Sequence, residues 1–345
     1  MRPDNKVTTF PASFKATSLL AVLGTLIANI SFSNPGSSRW GFFAHQKINH
    51  LAVYTLPPEL GVFFKYHIQY VEENAVNPDR RRYAIPEEAA RHYIDIDIYG
   101  DSAVYKMPRY WNEAVEKYTE DTLQAYGIVP WHIATMKNFL TKAFREKDID
   151  RILRYATDIG HYIGDANVPL HTTENYNGQL TNQYGIHGFW ESRLPELFFE
   201  DYDFFVGKAE YIKNPQMEAW TAVTNAHLAL DSVLGFEKQL NAQFAEDKKY
   251  TFEERGGSMT QTYSREYAAA FHQMLGAQVE NRMRASIKMV GDFWFTCWVD
   301  AGQPDMYELV KTQLTERQKK ELEAEQEAWR VKKVSTRDHE GGELP

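Results

Sequence analysis

The chain has 345 residues, 43% hydrophobic and 14% aromatic, which is enough to bury a sizeable core, and its charged fraction of 25% is ordinary for a globular protein. Its formal net charge of -9 argues against a generic polyanion-binding surface, so nucleic acid is expected only as a substrate held in a local cationic or metal-rich cleft. Cys297 is the single cysteine, which excludes an intramolecular disulfide and leaves stability to the core or to metal.

The N-terminus carries Arg2, Lys6 and Lys15 ahead of an apolar run from Leu19 to about Phe32. That run resembles the apolar stretch of a secretory leader and is too short and interrupted for a membrane span. Small residues at Ser31 and Ser33 place a cleavage site after Ser33. Residues 1–33, or 1–39 with further trimming, are therefore expected to be a signal peptide, and the product periplasmic or secreted. An uncleaved membrane anchor is the alternative.

From Trp40 the pattern is helical nearly everywhere. "FFAHQKINHLAVYTL" carries apolar residues at helical spacing up to Pro57 and Pro58, and "ELGVFFKYHIQYVEENAV" does so up to Pro78. "YWNEAVEKYTEDTLQAYG", "WHIATMKNFLTKAFREK" and "IDRILRYATDIGHYIGDA" follow as amphipathic segments, and "REYAAAFHQMLGAQVENRMRASIKMVGDFWFTCWVDA" reads as one long late helix. Strand signals are almost absent. The expected fold class is all-α, with one large domain over residues 40–305 and a charged helix fading into a polar tail over 313–345.

"GHYIGDANVPLH" holds the first chemical pattern. Residues four apart share a helix face, so His161 and Asp165 project together, and His171 follows just beyond Pro169. His187 and Glu191 repeat that spacing in "IHGFWESRLPELFF", an amphipathic helix expected from near Gly188. Imidazole and carboxylate are the usual zinc ligands where no thiolate serves, and helix-borne pairs fix their separation in advance. A lone pair of this kind is usually a side-chain hydrogen bond. Burying five such groups without partners, however, is expensive.

Upstream, "RHYIDIDIY" places His92 and Asp95 in one turn, "NPDRRR" sets Asp79 behind a proline, and "RWGFFAHQKINH" adds Trp40 and His45. Each alone has a plain structural explanation as a packing, capping or core residue. In chain order they form the ligand series of a known superfamily. The chain resembles the zinc-dependent phospholipases C of bacteria and the S-one/P-one type single-strand nucleases of fungi and plants. The resemblance spans roughly Trp40 to Asp300 and is carried by "WGFFAH", "HYID" and "HYIGDANVPLH".

That resemblance implies a mainly helical fold around three zinc ions. It implies Asp79, His92, His161 and Asp165 at the first zinc, and His171, His187 and Glu191 at the second. Asp165 would bridge to a third zinc completed by His45 and by Trp40 through its amino nitrogen and carbonyl oxygen. In the family this tryptophan is the mature N-terminus, whereas cleavage after Ser33 leaves "NPGSSR" ahead of Trp40. The third ligand set is then complete only if those residues are removed.

The implied chemistry is hydrolysis of a phosphodiester by metal-activated water, with Asp79 and Asp165 as catalytic residues. Arg82 matches a phosphate-contacting position, although a solvated "DRRR" charge run explains it equally, and Tyr93 and Asp95 match positions that stack and hydrogen-bond a base. The spacing of Trp40 to His45 is nuclease-like, while Glu191 and the short interval from His171 to His187 are phospholipase-like. The expectation is a zinc-dependent phosphodiesterase, a single-strand nuclease or 3'-nucleotidase ahead of a phospholipase C. Two readings of another class are a non-catalytic exported zinc-binding protein and a helical protein whose histidines form a buried polar network. No stable protein partner is evident. His50, His67, His132, His227, His272 and His339 are expected to be structural or surface residues.

Overall fold

The computed structural model describes residues 42–82, 84–255, 257–310 and 320; Trp40, the expected signal peptide and the rest of the charged tail lie outside them. The fold is mainly helical, and the one sheet among the described residues is a two-stranded hairpin. No helix among these residues is long and apolar enough to cross a membrane.

A helix at Ile149–Ala166 lies at the centre. Asp148 caps it by accepting a hydrogen bond from Arg151 N at 3.1 Å, and Lys147, at φ 54°, ends the preceding helix Val129–Glu146 in the left-handed conformation. The two helices therefore fold back on one another. The first helix, Phe42–Ala52, and two long C-terminal helices, Pro215–Gln243 and Gln278–Asp300, complete the surround. Every residue of the central helix from Ala156 to Ala166 is buried, including Asp158, His161 and Asp165.

Large aromatic side chains fix this packing. The Phe64 and Trp294 rings stack with centroids 4.6 Å apart, and Trp294 Nε1 donates to the Ala156 carbonyl at 3.0 Å. Trp131 meets Trp111 and Trp220 edge-on at 5.7 and 5.1 Å. Fully burying each such ring contributes roughly 1.5–3 kcal/mol.

Several expected helices are divided. The run after Pro57 forms Pro58–Tyr66 and Ile68–Glu73, with a break at His67. "YWNEAVEKYTEDTLQAYG" breaks at Thr119, whose φ of 68° is incompatible with a continuing right-handed helix. The long late helix is likewise two, Arg265–Leu275 and Gln278–Asp300, parted where Gly276 adopts φ 57°.

The hairpin corrects the expectation of almost no strand signal. Strand β1, Tyr250–Arg255, pairs antiparallel with β2, Ser258–Tyr263, across "GG", with Tyr250 opposite Tyr263 and Phe252 opposite Gln261. Alternating β-formers on either side of a two-glycine turn are a hairpin signature. Arg193 ties the hairpin down: its Nη1 and Nη2 donate to Glu253 at 2.9 and 2.6 Å, and its Nε donates to the Tyr263 carbonyl at 3.1 Å.

Candidate metal centre

Two glycines let the first helix approach the central one closely. A Cβ at Gly160 would stand 1.9 Å from Asn49 Oδ1, and one at Gly164 would stand 2.8 Å from His45 Nδ1. Asn49 Nδ2 donates across the contact to the Thr157 carbonyl at 3.2 Å. His45 is thereby pressed onto His161, their rings stacked with centroids 4.0 Å apart.

Pro169 ends the central helix and opens a 3-10 turn, Pro169–Thr172, that carries His171. The "HYID" segment docks on this turn: Ile94 N donates to the His171 carbonyl at 2.9 Å, and the His171 Nδ1 lies 2.6 Å from the His92 carbonyl. Asp79 comes from the short helix Asn77–Arg81. His187 lies in Ile186–Gly188, which runs through a π turn, Phe189–Arg193, into Leu194–Phe198. Glu191 stands on that π turn, a local geometry frequent at functional sites.

These elements bring eight of the nine expected ligand residues together; the ninth, Trp40, is outside the described residues. His92 Nδ1 lies 2.9 Å and His161 Nε2 lies 3.2 Å from Asp165 Oδ2, and the two nitrogens are 3.1 Å apart. Asp79 Oδ1 stands 3.7 Å from each nitrogen. Donors bound to one ion at about 2.0–2.1 Å stand roughly 3.3 Å apart along tetrahedral edges, a scale that the three contacts among His92, His161 and Asp165 approach, with Asp79 a little farther out. A second group joins His171, His187 and Glu191, with separations of 2.9, 3.2 and 2.6 Å. His45 Nε2 lies 3.3 Å from Asp165 Oδ1. The described residues thus form buried His, Asp and Glu groups competent to hold a metal ion.

Neighbouring groups set the orientation and charge of these donors. His161 Nδ1 is 2.9 Å from the Ala75 carbonyl, a contact that fixes the ring with Nε2 toward the cluster. Burial disfavours ionised Asp165, yet the charges of His161 and His171 and the hydrogen bonds of His161 and His45 hold its carboxyl well below the usual carboxylate range. Glu191 is likewise held well below it against burial, chiefly by His187 and His171. Burial works against charging His45 and His171, but the carboxylates outweigh it and raise them to about 10 and about 9. An arriving cation therefore displaces protons from these rings.

Behind the cluster, the "DRRR" run divides by function. Arg81 turns inward and donates to Asp158 Oδ1 and Oδ2 at 3.1 and 3.0 Å and to Glu88 Oε1 at 3.2 Å, and Tyr162 donates to the same Glu88 oxygen. The Arg80 guanidinium lies over the Phe42 ring, 5.8 Å from its centroid. Arg82 faces outward, 3.9 Å from Asp79 and 43% exposed.

Two clefts open on the cluster and meet at Arg82, His171, Tyr176 and His187. One, of about 470 Å³, is lined by Tyr93, Asp95 and His92, so the three expected substrate-binding residues Arg82, Tyr93 and Asp95 share a wall with the ligands. Burial and then the nearby Asp97 and Glu174 carboxylates push Asp95 up to about 7. The other, of about 490 Å³, is bounded by Tyr184 from the loop before His187 and by Tyr250 and Tyr263, two residues that sequence reasoning missed because the hairpin was not anticipated. The remaining described histidines stand apart from the donor groups: His50 bonds Glu72 at 2.8 Å, and burial pushes His132, packed on Tyr162, down to about 3. His339 lies outside the described residues. No family model matches the chain, and no curated protein matches it with significant similarity, so the functional reading rests on this geometry and on the sequence motifs.

Proposed function

We propose that the protein is a zinc-dependent phosphoester hydrolase that cleaves P–O bonds, with single-stranded nucleic acid or a nucleoside 3'-phosphate as its substrate. The observation that carries this reading is the buried group of His92, His161 and Asp165, with Asp79 3.7 Å from both histidine nitrogens, beside Arg82 and the Tyr93 cleft. All donors are imidazole or carboxylate, a set suited to zinc rather than to soft thiophilic ions. When bound, zinc supplies Lewis acidity and lowers the pKa of water from about 15.7 to about 7, which brings a hydroxide nucleophile within reach of neutral pH.

The protein's own residues supply the rest. Arg82 is exposed on the cleft and presents its guanidinium to a phosphate oxygen, a charge-assisted contact. Asp79, 22% exposed at the cluster edge, accepts a hydrogen bond from an attacking water and orients it. Tyr93 offers a stacking face, and Asp95 in its ionised form accepts from a base amino group.

A phospholipase C reading is favoured by a different observation. Phe252 and Met259 are 64% and 66% exposed on the hairpin that borders the second cleft, an apolar rim suited to acyl chains. Metal analysis of the purified protein, with turnover on single-stranded DNA, RNA, a nucleoside 3'-monophosphate and phosphatidylcholine, separates the readings. The expected result is bound zinc with hydrolysis of the nucleic acid substrates. Zinc near zero per chain removes the metal reading, hydrolysis of phosphatidylcholine alone moves the assignment to the lipase, and zinc without any hydrolysis leaves a zinc-binding protein.

A further inference from the structure

Asp165 and Glu191 are placed alike. Asp165 gives Oδ2 to His92 and His161 at 2.9 and 3.2 Å and turns Oδ1 to His45 at 3.3 Å. Glu191 gives Oε2 to His187 and His171 at 2.6 and 3.2 Å and turns Oε1 to the same His45 nitrogen at 3.6 Å. His45 Nε2 therefore stands between the outer oxygens of two carboxylates, each already engaged by its own pair of histidines. The group is enclosed: the side chains of His45, Asp165 and Glu191 are 3%, 2% and 12% exposed.

From this we infer that Glu191 is a second bridging carboxylate, and that with His45 and Asp165 it forms a third metal site from side chains alone. The inference rests on the zinc reading above. It adds that the third ion needs neither the amino group nor the carbonyl of Trp40, so the "NPGSSR" segment need not be removed for that ion to bind. Two carboxylate oxygens and one imidazole give a net anionic donor set that favours a divalent cation over a proton. The longer glutamate side chain has a structural reason here: one oxygen must reach His187 while the other reaches His45.

The test is metal stoichiometry and affinity, measured against a competing chelator on the full chain, with circular dichroism as the control for folding. A chain retaining "NPGSSR", verified by N-terminal sequencing, is expected to bind as many zinc ions as one beginning at Trp40. His187→Ala and His45→Ala are each expected to weaken a single ion, and a different one, by about 10–100-fold. Glu191→Ala is expected to weaken both of those ions, and Glu191→Asp to weaken mainly the ion shared with His45. Where Glu191→Ala does not fold, Glu191→Gln keeps its size and carries the same expectation. A Glu191 variant that weakens only the ion lost in His187→Ala overturns the bridge, and a one-ion deficit in the chain with "NPGSSR" overturns a site made from side chains alone; either result leaves the zinc reading standing. A wild-type chain with no zinc overturns both.

Discussion

The inner and outer halves of the cluster are built differently. His161 and Asp165 sit on the wholly buried second half of the central helix, and His161 is held through its second nitrogen by the Ala75 carbonyl. His171, His187 and Glu191 sit on a 3-10 turn and a π turn beside the clefts, and His187 is 27% exposed. Donors on a rigid, packed element are pre-organised, so ion binding there costs little ordering of the chain. Donors on turns next to solvent exchange and adjust more readily. The inner pair is therefore the more rigidly held, and the outer group the more exposed to exchange.

The sharpest way to break this contrast is Asp165→Asn. Asp165 touches His45, His92, His161 and His171 at once, so loss of its charge reaches both halves. Metal affinity and hydrolysis are expected to fall together by about 100-fold or more. His187→Ala, confined to the outer half, is expected to leave the inner ion in place. Metal content after a timed chelator challenge checks both, and equal retention by Asp165→Asn and wild type contradicts the shared role.

Two helical glycines sharpen it further through stability. Gly160→Ala drives a methyl group against the buried Asn49 side chain that links the first and central helices, and is expected to destabilise by roughly 1–3 kcal/mol. Gly235 lies exposed in Pro215–Gln243 with no atom near its Cβ position. Gly235→Ala is therefore expected to stabilise by roughly 0.5–1 kcal/mol through helix propensity. Opposite shifts of the thermal midpoint distinguish the two, and a neutral Gly160→Ala would show that the helix contact is looser than the geometry requires.

The inner half was legible in the sequence because helical spacing alone puts His161 beside Asp165 and ends the helix at the right place for His171. "GHYIG" also carries two glycines four apart, a readable sign of close helix approach. The hairpin was legible but unread, since "YTFEERGGSMTQTY" alternates around two glycines. Other features had no local signal. The opposed reach of Glu191's two oxygens depends on where the π turn sits relative to the first helix, a tertiary relation with no sequence period. The inward turn of Arg81 between two outward arginines depends on Asp158 and Glu88, which are distant in the chain.

Asp95 gives the finest test, because it lines a cleft beside the cluster and does not belong to the donor groups. Its carboxyl has a folded-state pKa of about 7 against an ordinary value of 3.8, chiefly through burial and then through Asp97 and Glu174. Between those values the folded chain holds a proton that the unfolded chain has released, so stability falls as pH rises through that window. The full shift would correspond to about 4 kcal/mol, and the group's partial exposure reduces the expected effect to roughly 1–2 kcal/mol. Asp95→Asn removes this term. Its thermal midpoint is expected to gain on the wild type progressively from pH 4 to pH 7 and to hold a constant advantage above that. A midpoint difference that stays flat across the range would mean that Asp95 is ionised in the folded protein at acidic pH, and that the cleft is more open to water than its walls imply.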